Sequence, residues 1–327
     1  MTTIRRRPLI LAALAAPAIA HAQGTRRPLR IIIPFPPGGA VDSLGRVLAD
    51  RLAPVLDQSV VVDNRSGAGG LIGADAVAKG PPDGTMLGII GAATLCAAPF
   101  LQQSMPFDVQ RDLRAVTQIT DSAVLLVVNA ARAQELGWTD LASVLAWAKA
   151  NPGRLRVAHS GVATVSHLTL SAVAAAAGVE ITGVPYRGGA QATSDVVSGV
   201  IEGSADLPTA LMPHVEAGRL RALGVSSGRS LSLLPDVPPM AAAPGLAAID
   251  IRSWNAIMLP AATPPAEVRR LFDAIRRVAA EPSFAAALRP LGYDAVTSAS
   301  PDAMTAMIAA ETPRWRSLVE MSGAKVD

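Results

Sequence analysis

What most constrains this chain is a unit that recurs along it: a short apolar strand, a loop of glycine or small polar residues, then a run at helical spacing. Leu29 to Ile33 is such a strand, closed by Pro34-Phe35-Pro36-Pro37-Gly38-Gly39. From Val41 the period changes. Val41, Leu44, Val47, Leu48 and Leu52 share one helical face, while Asp42, Arg46 and Asp50 lie on others. Ser59 to Val62 is a second strand, followed by the glycine-rich turn Asp63 to Gly70. Leu71 to Val77 then reads as a helix stopped by Gly80-Pro81-Pro82, and Thr85 to Ile90 as a third strand. Strands alternating with helices at this spacing predict α/β layers around mainly parallel sheets.

The unit returns after a first crossing, expected at the apolar strand Ala123 to Val128. Thr139-Asp140 opens a helix, Leu155 to Ala158 is a strand, His159 to Thr164 a loop, and Val165 to Ala177 an alanine-rich helix. Val184-Pro185-Tyr186 turns into Arg187-Gly188-Gly189, Ala190 to Ser198 is helical, and Leu220 to Val225 is a strand. Leu234 to Gly245 has the proline and alanine content of a connection, and Ile251 to Met258 is extended again. Val268 to Ala280, Ser283 to Leu288 and Pro301 to Glu320 are helical. One lobe interrupted by a second explains this order: residues 23–123 and 250–327 as lobe 1, 124–249 as lobe 2. A single large α/β domain is the competing arrangement.

The N-terminus reads as a cleavable signal peptide, residues 1–22. Arg5 to Arg7 precede the apolar run Leu9 to Ala20, and Ala20-His21-Ala22 supplies a small-x-small cleavage pattern before Gln23. As a helix that run spans about 18 Å, short of a bilayer core of roughly 30 Å. Arg6-Arg7 also fits a twin-arginine signal, so the export route stays open at this level. The peptide accounts for the whole formal charge of +3, which leaves the rest near neutral and argues against a nucleic-acid partner. Cys96 is the only cysteine, so no intramolecular disulfide can form and a buried hydrophobic role suits it. Roughly 300 residues remain, enough to split into two cores.

Two of the loops sit where chemistry is expected. Phe35 to Gly39 and Ser160 to Thr164 each lead from a strand into a helix, and Thr94 after the third strand is a weaker instance. Helix starts offer free N–H groups and a positive dipole end, and glycine lets a ligand come close. Two such ends across a cleft could each hold a carboxylate without any arginine; alternatively, the glycines only serve tight turns. No dinucleotide fingerprint, phosphate loop or nucleophile elbow is present. His159, His167 and His214 lack a second ligand at metal-site spacing. No metal and no cofactor are expected.

Several motifs in order resemble one family. Arg30-Ile31-Ile32-Ile33-Pro34-Phe35-Pro36-Pro37-Gly38-Gly39-Ala40-Val41-Asp42 and Val61-Val62-Asp63-Asn64-Arg65-Ser66-Gly67-Ala68-Gly69-Gly70-Leu71-Ile72-Gly73 look like the Bug family, periplasmic receptors of tripartite tricarboxylate transporters. Pro82-Asp83-Gly84-Thr85, Val184-Pro185-Tyr186-Arg187-Gly188, Gly218 to Leu223 and Leu234-Pro235-Asp236-Val237-Pro238 follow in the family's order. The resemblance implies a type-II periplasmic binding fold, two lobes closing on a ligand in the cleft, and a function as a periplasmic solute-binding protein. The expected partners are a small organic carboxylate and an integral-membrane permease, with the receptor itself a monomer. It assigns Gly38 and Gly39 to one carboxylate, Phe35 to an apolar wall, and Thr94 to a hydroxyl donor. Ser160, Gly161, Ala163 and Thr164 take the other end, Asp206 stands at the cleft edge, and Trp254 lies near the returning strand. The chain departs from the family's pattern at Ser66, Leu71, Ala98, Ala163 and Gln191; Ala98 and Ala163 remove polar groups near the cleft and lean towards a partly apolar acid. An Asp206 carboxylate in the cleft would favour a ligand ammonium.

Two other functions are open to such a chain. One is a hydrolase or other enzyme acting on a small carboxylate through His159 or His167, which needs a base within reach of a reacting atom. The other is a non-catalytic envelope sensor or scaffold, which needs no ligand-dependent closure.

Overall fold

A computed structural model of the chain describes residues 27–186 and 188–323; the expected signal peptide and Arg187 lie outside them. The first lobe opens with β1 (Leu29–Ile33), α1 (Ala40–Leu56), β2 (Val60–Asn64), α2 (Leu71–Ala78) and β3 (Met86–Gly91). Here the sequence unit is realised as read: β1 pairs in parallel with both β2 and β3. Flanked on both edges and covered on both faces, β1 buries all three isoleucines, as a central parallel strand must. Leu44, Leu48 and Leu52 of α1 pack on it. Gly45 permits the approach, because a Cβ there would stand 2.5 Å from Ile33 Cδ1.

After β3 comes a π-helical turn at Ala93–Ala97, then α3 (Ala98–Leu101), α4 (Val109–Asp112) and the long β4 (Leu113–Ala123). The chain crosses at Val124 into β5 (Leu125–Asn129), α5 (Ala130–Leu136), α6 (Leu141–Ala150), β6 (Leu155–His159) and α7 (Val165–Ala177). Next come β7 (Ile181–Pro185), α8 (Gly189–Val197), β8 (Gly203–Asp206), α9 (Pro208–Glu216) and β9 (Leu220–Val225). It returns through β10 (Arg252–Pro260), α10 (Pro265–Ala279), α11 (Pro282–Leu288), the short β11 (Asp294–Ala295) and α12 (Pro301–Ser322).

Two sheets result, a six-stranded one ordered β11-β4-β10-β3-β1-β2 and a five-stranded one ordered β7-β6-β8-β5-β9. Neither is mainly parallel, which corrects the expectation. β10 runs antiparallel to both β3 and β4, β11 antiparallel to β4, and β5 antiparallel to β8 and β9. The parallel trios β2-β1-β3 and β7-β6-β8 are the segments linked by crossover helices. The antiparallel strands carry the chain between the sheets and have no such crossover to align them.

The two sheets share apolar packing. One buried cluster includes Ile32 and Leu71 of the first sheet's side, Leu126 and Leu168 of the second, and Met304, Ile308, Trp315 and Leu318 of α12. Thus α12 lies against both the π-turn and α7. Cys96 is buried in this cluster, and burial pushes its thiol up to about 12, far from a thiolate nucleophile. No helix among the described residues is long and apolar enough to cross a membrane.

Candidate functional site

The two parallel trios turn their carboxyl ends, and the loops that follow them, towards each other. A Cβ on Gly69, in the loop after β2, would come within 4.0 Å of the Val162 carbonyl oxygen in the loop after β6. The two sides also meet where Thr209, at the start of α9, donates from Oγ1 to Leu291 O at 2.5 Å. A cleft edge in an α/β protein belongs at these carboxyl ends.

On the first side, Gly39 is the N-cap of α1 with no side chain capping it, and no lysine or arginine stands in residues 34–39. Gly38 adopts φ +86°, and its N–H donates to Asp42 Oδ2 at 2.9 Å. Asp42 is buried in the first turn of α1 and also accepts from Arg46 Nε at 2.9 Å and Asn64 Nδ2 at 2.8 Å. Asn64 in turn donates to Phe35 O at 3.1 Å. Burial alone would raise the Asp42 carboxyl, but these donors outweigh it and hold it below the usual carboxylate range. Gly38 and Gly39 themselves stay exposed.

The other predicted residues of this side converge on Gly70. A Cβ there would stand 2.8 Å from Thr94 Oγ1 and 3.7 Å from Phe35 Cζ. Thr94 is buried in the π-turn and donates to Gly69 O at 3.2 Å, so its hydroxyl already holds the second loop.

On the opposite side, Ser160, Gly161, Ala163 and Thr164 form one loop held almost wholly by its own neighbours. Ser166 Oγ accepts from the Ser160 amide at 3.1 Å and contacts Ser160 Oγ at 2.8 Å and Thr164 Oγ1 at 2.9 Å. Thr164 caps α7 and donates to Gly161 O at 2.7 Å. Asp206 ends β8 with one oxygen accepting from the Leu207 amide at 2.8 Å. Burial drives its carboxyl up to about 6, against the pull of the Leu207 amide and the Ser160 hydroxyl. The buried Tyr293 hydroxyl comes from the first lobe; burial and the Asp206 charge push its pKa up against the pull of Asn255.

His159 and His167 turn their Nδ1 atoms to the loop between them. Their rings stack at 4.7 Å, and each is spent on the backbone of the loop between them. Burial lowers both, His159 to about 4, with the His167 ring adding to it. Among the described residues no three metal-ligating side chains gather. The sequence reading passed over Asp42, Asn64 and Ser166 as supports. An acid in a first helical turn is a signal for the first of them; Asn64 and Ser166 offered none by spacing. Trp254 is buried in the core, its indole N–H unpartnered.

Comparison with known proteins identifies relatives of the whole chain. The family model described as tripartite tricarboxylate transporter family receptor matches residues 44–324. Protein BugT of Bordetella pertussis is 35% identical over 320 residues, covering 96% of this chain and 95% of that one. The solved structure of R. palustris Rpa4515 with adipate superposes with a TM-score of 0.84 at 30% identity, covering 92% of this chain and 99% of that one. MatC of Rhodopseudomonas palustris with bound malate gives 0.79 at 26% identity, covering 90% and 99%.

Proposed function

The chain belongs to the Bug family of tripartite tricarboxylate transporter receptors, and from that premise we propose that it captures a small, partly apolar dicarboxylate between its lobes. It is a periplasmic solute-binding protein that hands its ligand to a membrane permease. The finer reading assigns Gly38 and Gly39 to one carboxylate, with Phe35 as an apolar wall and Thr94 as a hydroxyl donor, and Ser160, Gly161, Ala163 and Thr164 to the other end, with Asp206 at the cleft edge. Residues 23–123 with 250–327, and 124–249, are the bodies that close, in a monomer.

One observation carries this: the loop of residues 160–164 meets the loop after β2 at Val162 and Gly69, and neither residues 34–39 nor residues 160–164 hold a lysine or arginine. Amide donors at helix starts suit an anion. Val162, 46% exposed, gives this mouth an apolar patch that suits a methylene chain. The relatives solved with adipate and with malate support a dicarboxylate of that size. Binding both lobes in the closed state and one in the open state is what shifts the equilibrium.

Calorimetry on ligand-stripped protein, across adipate, malate, citrate and glutamate, tests the reading. A dicarboxylate is expected to bind tightest; no binding by any of them would sink it. Asp206 supports a second ligand, an acidic amino acid, because a buried carboxylate at that end favours an ammonium over a second anion. Asp206→Asn should then weaken glutamate more than glutarate, its deaminated analogue. Equal losses would remove that role.

A further inference from the structure

The lobe 2 loop bends through two left-handed residues, Gly161 at φ +131° and Ala163 at φ +66°. Glycine takes such a backbone freely, whereas for alanine it costs about 1 kcal/mol. Something must hold Ala163 there. Its amide points to Nδ1 of His167 at 3.3 Å, one helical turn ahead on α7. The carbonyl of Gly161 is gripped by the Thr164 hydroxyl at 2.7 Å and by His159 Nδ1 at 3.0 Å.

These contacts fix where the ring protons sit. A nitrogen that accepts an amide N–H must offer its lone pair, so His167 carries its proton on Nε2. A nitrogen held 3.0 Å from a carbonyl must donate, so His159 carries its proton on Nδ1; its contact with the Gly161 amide, at 3.4 Å, is the longer one. The two neutral rings then stack with a 33° tilt. We infer that His167, braced by the stacked His159, is the positioning residue that locks Ala163 in its left-handed form and so fixes the shape this loop presents to the ligand. This rests on the assignment of the loop to ligand binding.

The surroundings leave the pair to itself. On β7, Gly183 brings only backbone to His159, and on β8 its register partner is Ala205, with Asp206 one residue beyond. Burial and the His167 ring act on His159, and burial alone on His167. No carboxylate or guanidinium of α12, packed on α7, bears on either ring. A proton added to His167 Nδ1 would set N–H against N–H and push the Ala163 amide away.

The test uses ¹⁵N-labelled, ligand-stripped protein. Long-range nitrogen spectra should show Nε2–H on His167 and Nδ1–H on His159, and the Ala163 amide should shift as His167 titrates with acid. His167→Asn places Oδ1 where Nδ1 stood. It should keep the Ala163 shift and hold adipate affinity within about threefold, whereas His167→Leu should lose the shift and about tenfold in affinity, one hydrogen bond's worth. An Nδ1–H tautomer on His167, or a wild-type Ala163 shift in the leucine variant, would overturn the inference. If His167→Leu fails to fold, the wild-type spectra and the asparagine variant decide alone. Absence of adipate binding to the wild type would count against the site assignment, while the tautomer and amide readings would still judge the positioning role.

Discussion

The two ligand loops solve one problem with different chemistry. Each must hold a glycine-containing turn at a helix start without a lysine or arginine in the turn. In lobe 1 the support is ionic: the buried Asp42 gathers the Gly38 amide, the Arg46 guanidinium and the Asn64 amide. In lobe 2 the support is neutral, made of hydroxyls and two uncharged imidazoles. The difference shows in how each answers acid. Asp42 is held below the usual carboxylate range, so its contribution is complete above the ordinary carboxylate pKa and fades only when pH falls through its lowered native value. The lobe 2 groups titrate higher, His159 at about 4 and Asp206 at about 6, within reach of mildly acidic solution.

The largest expected effect tests the ionic side. Asp42→Ala leaves three donors without their part-buried acceptor and should cost about 3 kcal/mol in urea unfolding. That deficit should be the same at pH 7 and pH 5. A deficit that shrinks over this range would mean Asp42 titrates like the lobe 2 groups, and the contrast would fail.

Next in size is Asp206→Asn. The native carboxyl has its pKa raised, so between about 3.8 and 6 the folded state binds more protons than the unfolded one. Its ionised form burdens the fold above about 6, and the burden fades as pH falls. Asparagine keeps an acceptor for the Leu207 amide and should add about 2 kcal/mol at pH 7, vanishing near pH 4. A pH-independent gain would show that desolvation of the charge is not the cause.

His159 works with the opposite sign. Its native pKa lies below the unfolded 6.5, so the unfolded state binds more protons between about 4 and 6.5, and stability falls as pH drops through that window. His159→Phe keeps a ring for stacking but cannot titrate. Whatever it costs at pH 7, it should lose 1 to 2 kcal/mol less than the wild type, roughly, between pH 7 and pH 4.5. Parallel unfolding curves for the two proteins would assign no acid sensitivity to this ring.

How much of this was legible beforehand follows the same divide between local and long-range chemistry. Val165 to Ala177 and Leu220 to Val225 were read to the residue, because a capped helix and an apolar strand signal themselves locally. β4 was missed. Its Thr117, Thr120, Asp121 and Ser122 are buried yet polar, satisfied by partners far along the chain such as Gly292 and Asn255. β8, only Gly203-Ser204-Ala205-Asp206, has no periodicity to read. The parallel trio β2-β1-β3 came from alternation, while of the second trio only β6 was read, and the antiparallel strands follow from which sheet the chain visits next, which no window reports. The candidate loops were visible as glycine-rich strand ends. Their supports were not, since Asn64 reaches Asp42 across 22 positions.

The smallest effects set the two loops against each other most directly. Gly38 in lobe 1 and Ala163 in lobe 2 both have positive φ, +86° and +66°, but only one is glycine. Nothing stands within 4 Å of where a Cβ on Gly38 would lie, so Gly38→Ala meets no clash and costs only the backbone preference, about 1 kcal/mol. Ala163→Gly releases that same strain, but glycine's freer unfolded chain takes back part of the gain, leaving about 0.5 kcal/mol of stabilisation. Thermal midpoints should therefore move in opposite directions, down for Gly38→Ala and up for Ala163→Gly. Adipate affinity should not follow stability in lobe 2. Glycine at 163 relaxes the kink that the imidazole holds, so the variant should melt later and yet bind no better than the wild type. A variant that melted earlier would show that the Ala163 methyl, packed at the edge of the core, contributes more than its backbone strain costs.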